Sequence, residues 1–296
     1  MQIATTENTI YTSPDASKIF CYTPSILVTP TGRLIVSFDL GGEGVKSIEG
    51  HKSSRAGGSR FGQGKIFISD DNGQKWTFVQ NFPFWHARLF TIGNSIYLIG
   101  HAGDICIMKS EDNGESWSDT YFLTYGEKWH SSACNVLFSN GNVYLAMEQR
   151  CRLNEVTGWD VAGLSPMLFR ACVEDNLCLA SSWSRSEKFI YKEVFDGAKL
   201  DFFGIPFYDC ETNKPKEIAT GINNAPLGWL EANVVKFVDK DHIWHTDLKE
   251  VFHLFLRAHT GGVNYAHLFK IEIQDDQSMI PSLEHTPSGQ KISYIP

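Results

Sequence analysis

Apolar positions along this chain fall in short runs, and the runs come in pairs joined by turn residues. Residues 22–28 and 33–39 flank Pro30-Thr31-Gly32, which reads as a β-hairpin. The same form recurs at 85–99 around Gly93-Asn94 and at 129–148 around Asn140-Gly141. It recurs again, with a longer connection, at 229–238 followed by 251–257. Runs this continuously apolar predict strands buried on both faces. We expect these four hairpins to form the inner strands of four sheets. Further strands are expected at 64–68, 104–108, 167–173 and 266–273.

A repeated turn punctuates the outer strands. Ser69-Asp70-Asp71-Asn72-Gly73-Gln74-Lys75-Trp76 returns as Ser110-Glu111-Asp112-Asn113-Gly114-Glu115-Ser116-Trp117, about 40 residues on. Asp hydrogen-bonds nearby backbone and Gly accepts positive φ, so Asp-Asn-Gly between strands is turn chemistry. Ser is placed to bond across the turn, and Trp to pack beneath it. Asp71, Gly73, Trp76, Asp112, Gly114 and Trp117 are thus explained by folding alone. Ala180-Ser181-Ser182-Trp183 and Gln274-Asp275-Asp276 read as decayed copies.

The two intact copies resemble the Asp-boxes (BNR repeats) of the sialidase, or neuraminidase, superfamily. The resemblance implies an all-β fold, a sialidase-like β-propeller of four-stranded blades occupying residues 1–296 as one domain. Six blades are usual in that family. Four are visible here, with Thr9-Ile10-Tyr11 as an N-terminal strand that could complete the last blade. The boxes imply no activity by themselves, since they also occur in lyases, other glycosidases and non-enzymes.

Long connections at 40–62, 149–165 and 196–228 read as functional rims or disordered segments. The 296 residues are 42% hydrophobic and 13% aromatic, a composition that suits strands and sugar-stacking surfaces. A net charge of −8 speaks against nucleic acid or an anionic membrane as partner, and no apolar run is long enough for a membrane-spanning helix. The N-terminus shows no signal-peptide pattern, so a native Met1 would mean a cytoplasmic protein. Seven cysteines without a C-x-x-C pair read as mostly buried thiols. No cofactor is expected, and no H-E-x-x-H or comparable metal spacing is present.

In a propeller, ligands bind where the inner strands begin. Those starts hold Tyr22, Trp85-His86, Trp129-His130 and Trp229-Leu230-Glu231, and the two Trp-His pairs are expected at equivalent points. Rings stack on sugar faces, while imidazoles and carboxylates bond hydroxyls, so a carbohydrate pocket is expected. Core packing alone is the competing reading for Trp85, Trp129 and Trp229, and buried, satisfied histidines for His86 and His130. Leu230-Glu231-Ala232-Asn233 with Leu256-Arg257-Ala258 resembles a sialidase segment. The resemblance implies that Glu231 assists a nucleophile and that Arg257 clamps a substrate carboxylate, a task suited to a bidentate guanidinium. Tyr22 stands where the family's first-blade Arg would, so a sugar other than sialic acid is open. Glycoside hydrolysis needs paired carboxylates, and Asp39 or Glu148 with Glu231 could form such a pair. The leading expectation is a sialidase-like glycosidase acting on a terminal sugar of a glycan. The alternatives are a lyase on a uronate-containing glycan, with His or Tyr as base, and a non-catalytic glycan-binding propeller.

Overall fold

The computed structural model describes residues 7–54, 61–130, 135–151, 164–188, 205–206, 228–236, 251–259, 264–274 and 276–283. Among these no α-helix occurs. Two short 3-10 turns, Glu43–Ser47 and Ala180–Ser182, interrupt an otherwise all-β chain. The chain divides into two compact units, 1–126 with 178–180, and 127–177 with 181–296.

The first unit contains two antiparallel sheets. One runs β1 (Phe20–Val28), β2 (Leu34–Gly41), β4 (Phe61–Ser69), β5 (Thr77–Phe82), with the short β3 (Ser53–Ser54) also on β4. The other is a meander of β6 (Trp85–Ile92), β7 (Ser95–Ala102), β8 (Asp104–Ser110) and β9 (Tyr121–Phe122). Strand β2 is buried on both faces, as its apolar run predicts. Ile35 joins a core with Ile66, Phe82, Phe84, Leu98 and Met108, while Val36, Phe38 and Leu40 join another with Val45 and Phe67. Side chains alternate along a strand, so Ile35, Ser37, Asp39 and Gly41 share one face.

The second unit repeats the plan. One sheet runs β10 (Trp129–His130), β12 (Asn142–Arg150), β13 (Leu164–Cys172), β14 (Trp183–Arg185), with β11 (Val136–Ser139) also on β12. The other runs β15 (Ile205–Pro206), β18 (Asn264–Ile273), β17 (Val251–His259), β16 (Gly228–Val235), with β19 (Met279–Leu283) also on β18. All four hairpins expected from the sequence are therefore present.

Both intact boxes form the turns they predict. Ser69 Oγ accepts from Gly73 N at 2.9 Å and donates to Asp71 Oδ1, which also accepts from Lys75 N. Ser110, Asp112, Gly114 and Ser116 repeat these bonds. Trp76 Nε1 donates to Gly73 O at 3.0 Å. Trp183 does likewise to Leu177 O, so the third sheet keeps part of the device. Arg33, from the first hairpin turn, ties the two boxes together: its guanidinium grips Asp70 through two nitrogens and Glu115 through a third, at 2.6–2.8 Å. Gly114 sits at φ +87°, and a Cβ there would stand 2.5 Å from Ile35 Cδ1. Gly114→Ala is therefore expected to destabilise the protein by about 1–3 kcal/mol, read as a lower urea midpoint with unchanged slope.

Two expectations need correction. Residues 9–11 form no strand. Tyr11 instead packs on Phe38 and Phe67, ring centroids 5.5 and 6.3 Å away, and Asn8 Nδ2 donates to Gly73 O. Covering the aromatic end of the second core removes more apolar surface from water than a free extended piece could. The 40–62 connection is also less open than its composition suggests. Val45 is fully buried, Gly44 N donates to Lys18 O, and β3 pairs with β4. Most of the 149–165 and 196–228 connections lies outside the described residues.

Candidate functional site

The inner strands share a local irregularity that sequence spacing did not reveal. Pairing of β1 with β2 slips between Tyr22 and Ser25, that of β6 with β7 between Trp85 and Arg88, and that of β16 with β17 between Leu230 and Asn233. At each slip a non-glycine residue adopts left-handed backbone: Thr23 at φ 44°, His86 at 52° and Glu231 at 61°. Such residues are uncommon, and their strain is held by surrounding structure. A bulge of this kind re-aims a side chain at the end of a strand.

The last pairs before these slips are Tyr22–Asp39, Trp85–His101 and Leu230–Arg257, and β10 ends on the pair His130–Glu148. Asp39, His101, Glu148 and Arg257 thus occupy one repeated position on the second strands, each an ionisable residue at the end of a largely apolar run. The Trp-His pairs are not equivalent, which corrects the sequence alignment. His86 is the left-handed bulge residue beyond the Trp85–His101 pair, whereas His130 is itself paired with Glu148. A bulge adds a residue without changing the local apolar pattern, so the motif alone cannot fix register.

In the first unit these features gather around Asp39, which is fully buried. Its Oδ2 accepts from Thr23 Oγ1 at 2.5 Å and from the main-chain N of His86. Its Oδ1 has no hydrogen-bond partner among the described residues. Burial pushes the Asp39 carboxyl up to about 7, against the opposing pull of Thr23, the His86 and Ala87 amides and the Arg88 charge. The His86 ring meets His101, with Nδ1 3.2 Å from Nε2, and lies 6.4 Å from the Trp85 ring.

Two residues beyond Asp39, on the same face, Gly41 leaves room for aromatic rings. A Cβ there would stand 2.7 Å from Tyr22 Cε2 and 3.1 Å from Trp85 Cζ3, and a Cβ on Gly62 would collide with the indole of Trp85. Tyr22 is 44% exposed and Trp85 half-buried, so the two rings form a shelf reaching solvent beside the acid. Gly62→Ala is expected to displace the indole and cost about 1–3 kcal/mol, read as a shifted tryptophan emission together with a lower Tm.

In the second unit the matching carboxylate, Glu148, is 1% exposed. Its Oε2 lies 2.9 Å from His130 Nδ1, and its Oε1 accepts from Ala232 N at 2.8 Å. Both of its oxygens are thus engaged within the protein, whereas Asp39 keeps Oδ1 without a hydrogen bond among the described residues, which speaks against the expectation of a catalytic carboxylate at 148. Trp129 is 1% exposed, packed edge-on to Phe169 at 5.2 Å with the Arg185 guanidinium over its ring. It is core, and the expectation that it binds substrate is likewise corrected, because an aromatic packed against Phe169 and Arg185 of its own sheet buries more area than one at a rim. Glu231, by contrast, is exposed on its bulge. Trp229 and Arg257 hold the strand positions given by their pairing with Ala258 and Leu230, and their side chains lie outside the described residues. Among the described residues no group of three His, Cys, Asp or Glu could hold a metal ion. Sequence reasoning missed Thr23, Arg88, His101, Gly41 and Gly62. Only the register reveals that His101 shares the place of Asp39.

No protein-family model and no curated protein sequence matches this chain. Solved structures do. An α-L-arabinofuranosidase from Lactobacillus brevis is similar at 13% identity, over 92% of this chain and 80% of that one, with a TM-score of 0.51. An α-L-arabinanase from Penicillium chrysogenum, complexed with arabinobiose, is 11% identical over 94% and 71%, with a TM-score of 0.43. The catalytic domain of an α-L-arabinofuranosidase from Coprinopsis cinerea is 12% identical over 95% and 74%, also with a TM-score of 0.43. The likeness is one of fold, an all-β propeller. The arabinofuranosidase from Lactobacillus brevis is not a sialidase, and the likeness gives no support to the sialidase type.

Proposed function

We propose that this protein is a glycoside hydrolase acting on a terminal sugar of a glycan. The observation that carries the reading is Asp39: a carboxyl that burial keeps protonated up to about pH 7, beside a solvent-reaching shelf of Tyr22 and Trp85. A proton held to neutrality is what a general acid needs in order to protonate a leaving glycosidic oxygen, and an aromatic shelf is what stacks a sugar face. Asp39 is covered in this state, so the residues over it must shift for substrate to reach its Oδ1, the oxygen that Thr23 and the His86 amide leave unused. His86 is assigned to bonding sugar hydroxyls. Glu231 is assigned the second carboxylate, and Arg257 a clamp for any anionic group on the substrate.

Tyr22, in the place of the sialidases' first Arg, favours a neutral sugar over sialic acid. The fold likeness to an arabinofuranosidase makes an α-L-arabinofuranoside the first substrate to try. A second reading, glycan binding without turnover, is favoured by the complete burial of Asp39 and its two bonds to the bulges. The test is a panel of chromogenic arabinofuranosides, galactosides and sialosides, with binding measured calorimetrically on the matching oligosaccharides. Turnover that Asp39→Asn abolishes supports the hydrolase. Binding without turnover supports the second reading, and an unsaturated product absorbing in the ultraviolet would point to a lyase instead. Neither binding nor turnover on the whole panel overturns both.

A further inference from the structure

The left-handed bulges are held from a neighbouring sheet, and in the second unit that arrangement singles out a carboxylate with no assigned role. We infer that Glu148 is a positioning residue for Glu231, an inference that rests on the reading of Glu231 as a carboxylate acting on the sugar. Glu148 lies on β12 and Glu231 on β16, in different sheets of the same unit. The Oε1 of Glu148 accepts from the N–H of Ala232, the residue immediately after Glu231. Ala232 is fully buried while Glu231 is exposed, so the clamp grips the chain on its inner side and leaves the carboxylate outside.

A second grip lies just beyond. Asn135 Oδ1 accepts from Val234 N at 2.9 Å, its Nδ2 donates to Val234 O at 2.7 Å, and its own N donates to Asn233 Oδ1. Between them the two grips fix the peptide planes that follow Glu231, and with them its left-handed backbone at φ 61°. His130 Nδ1, 2.9 Å from Oε2, in turn fixes the rotamer of Glu148.

The same construction occurs independently in the first unit. Asp39, at the equivalent position on its second strand, accepts from the N–H of His86, the left-handed residue on β6 of the adjoining sheet. Two buried carboxylates at one repeated position, each bonded to a main-chain N–H at or next to a left-handed bulge residue, make an accident of packing a poor account. The bulge is strained without the clamp, so removing the acceptor lets the backbone relax and carries the Glu231 carboxylate off target. A displacement of about 1 Å in a catalytic group is worth on the order of 100-fold in rate.

The test uses the full chain and two readouts. The first is amide hydrogen exchange over residues 228–236, which reads the clamp whether or not the protein turns over a substrate. Glu148→Ala is expected to accelerate exchange at Ala232, and Glu148→Gln, which retains an acceptor oxygen, to leave it near wild type. If the Ala variant fails to fold, Glu148→Asp, one methylene too short to reach both partners, is expected to give the same acceleration. The second readout is kcat on the glycoside that wild type cleaves. Glu148→Ala is expected to lower kcat at least 10-fold with KM within about 2-fold. Combined with Glu231→Gln it is expected to add no further loss, because both act through one group. Unchanged exchange in the Ala and Asp variants, or additive losses in the double variant, overturns the inference and leaves the hydrolase reading standing. A wild type inactive on every glycoside overturns the assignment of Glu231, and with it the positioning role, while the exchange data separately decide whether the clamp exists.

Discussion

Asp39→Asn is expected to abolish turnover and, at the same time, to flatten the dependence of stability on pH. Loss of a general acid lowers kcat by about 10²–10⁴. Asn keeps the shape and can still accept from Thr23 Oγ1 and His86 N, so the fold is expected to survive. The stability effect has a definite sign. The carboxyl titrates at 3.8 when unperturbed and at about 7 in the folded chain. Between those values the native state holds the proton that the unfolded state has released. Stability from this group is therefore full below about pH 4 and falls as pH rises toward 7. A shift of this size corresponds to something on the order of 4 kcal/mol lost across the window. Urea unfolding of both proteins at about pH 4.5, 6 and 7.5 checks it, since the wild-type curve should lose stability across the series relative to the Asn variant. Parallel curves would show that Asp39 is not a buried acid of this kind, and the general-acid assignment would fall with it.

His130→Leu is expected to destabilise the protein by about 3–5 kcal/mol, a large share of the 5–15 kcal/mol typical of a folded domain. Glu148 is 1% exposed, and His130 Nδ1 lies 2.9 Å from its Oε2. Leu removes that contact from a buried carboxyl, and losing one partner of a buried pair costs more than the hydrogen bond itself. The double variant His130→Leu with Glu148→Gln separates the two contributions. Gln still accepts from Ala232 N and carries no charge, so the double variant is expected to be more stable than His130→Leu alone. Chemical denaturation of the three proteins decides this. If the double variant is the weaker, the buried charge is not the source of the loss.

Much of the architecture was legible along the chain. The apolar pairs at 22–39, 85–99, 129–148 and 229–257 mark the inner hairpins, because burial on both faces leaves a continuous apolar run that needs no distant partner to be recognised. The boxes at 69–76 and 110–117 were equally readable, since Ser, Asp and Gly satisfy one another within five residues. Candidate chemistry was legible as a set of residue types at the strand starts, and Tyr22, Asp39, Trp85 and His86 do gather in one place.

Burial and register were not legible. Glu148 and Glu231 look alike in sequence, each a carboxylate beside an apolar run. One is sealed in and the other exposed, because a backbone amide 84 residues away takes up the first. Asp39 depends in the same way on an amide 47 residues away. The two Trp-His pairs read as equivalent until a bulge set them one residue out of step, and Thr9-Ile10-Tyr11 read as a strand until an aromatic core offered more burial. The sequence by itself determined which stretches are strands and which turns join them, since propensity, alternation and turn chemistry act over a few residues. Only the tertiary structure decided which ionisable groups lie inside, because a buried charge is tolerated only where a distant part of the chain supplies its partner.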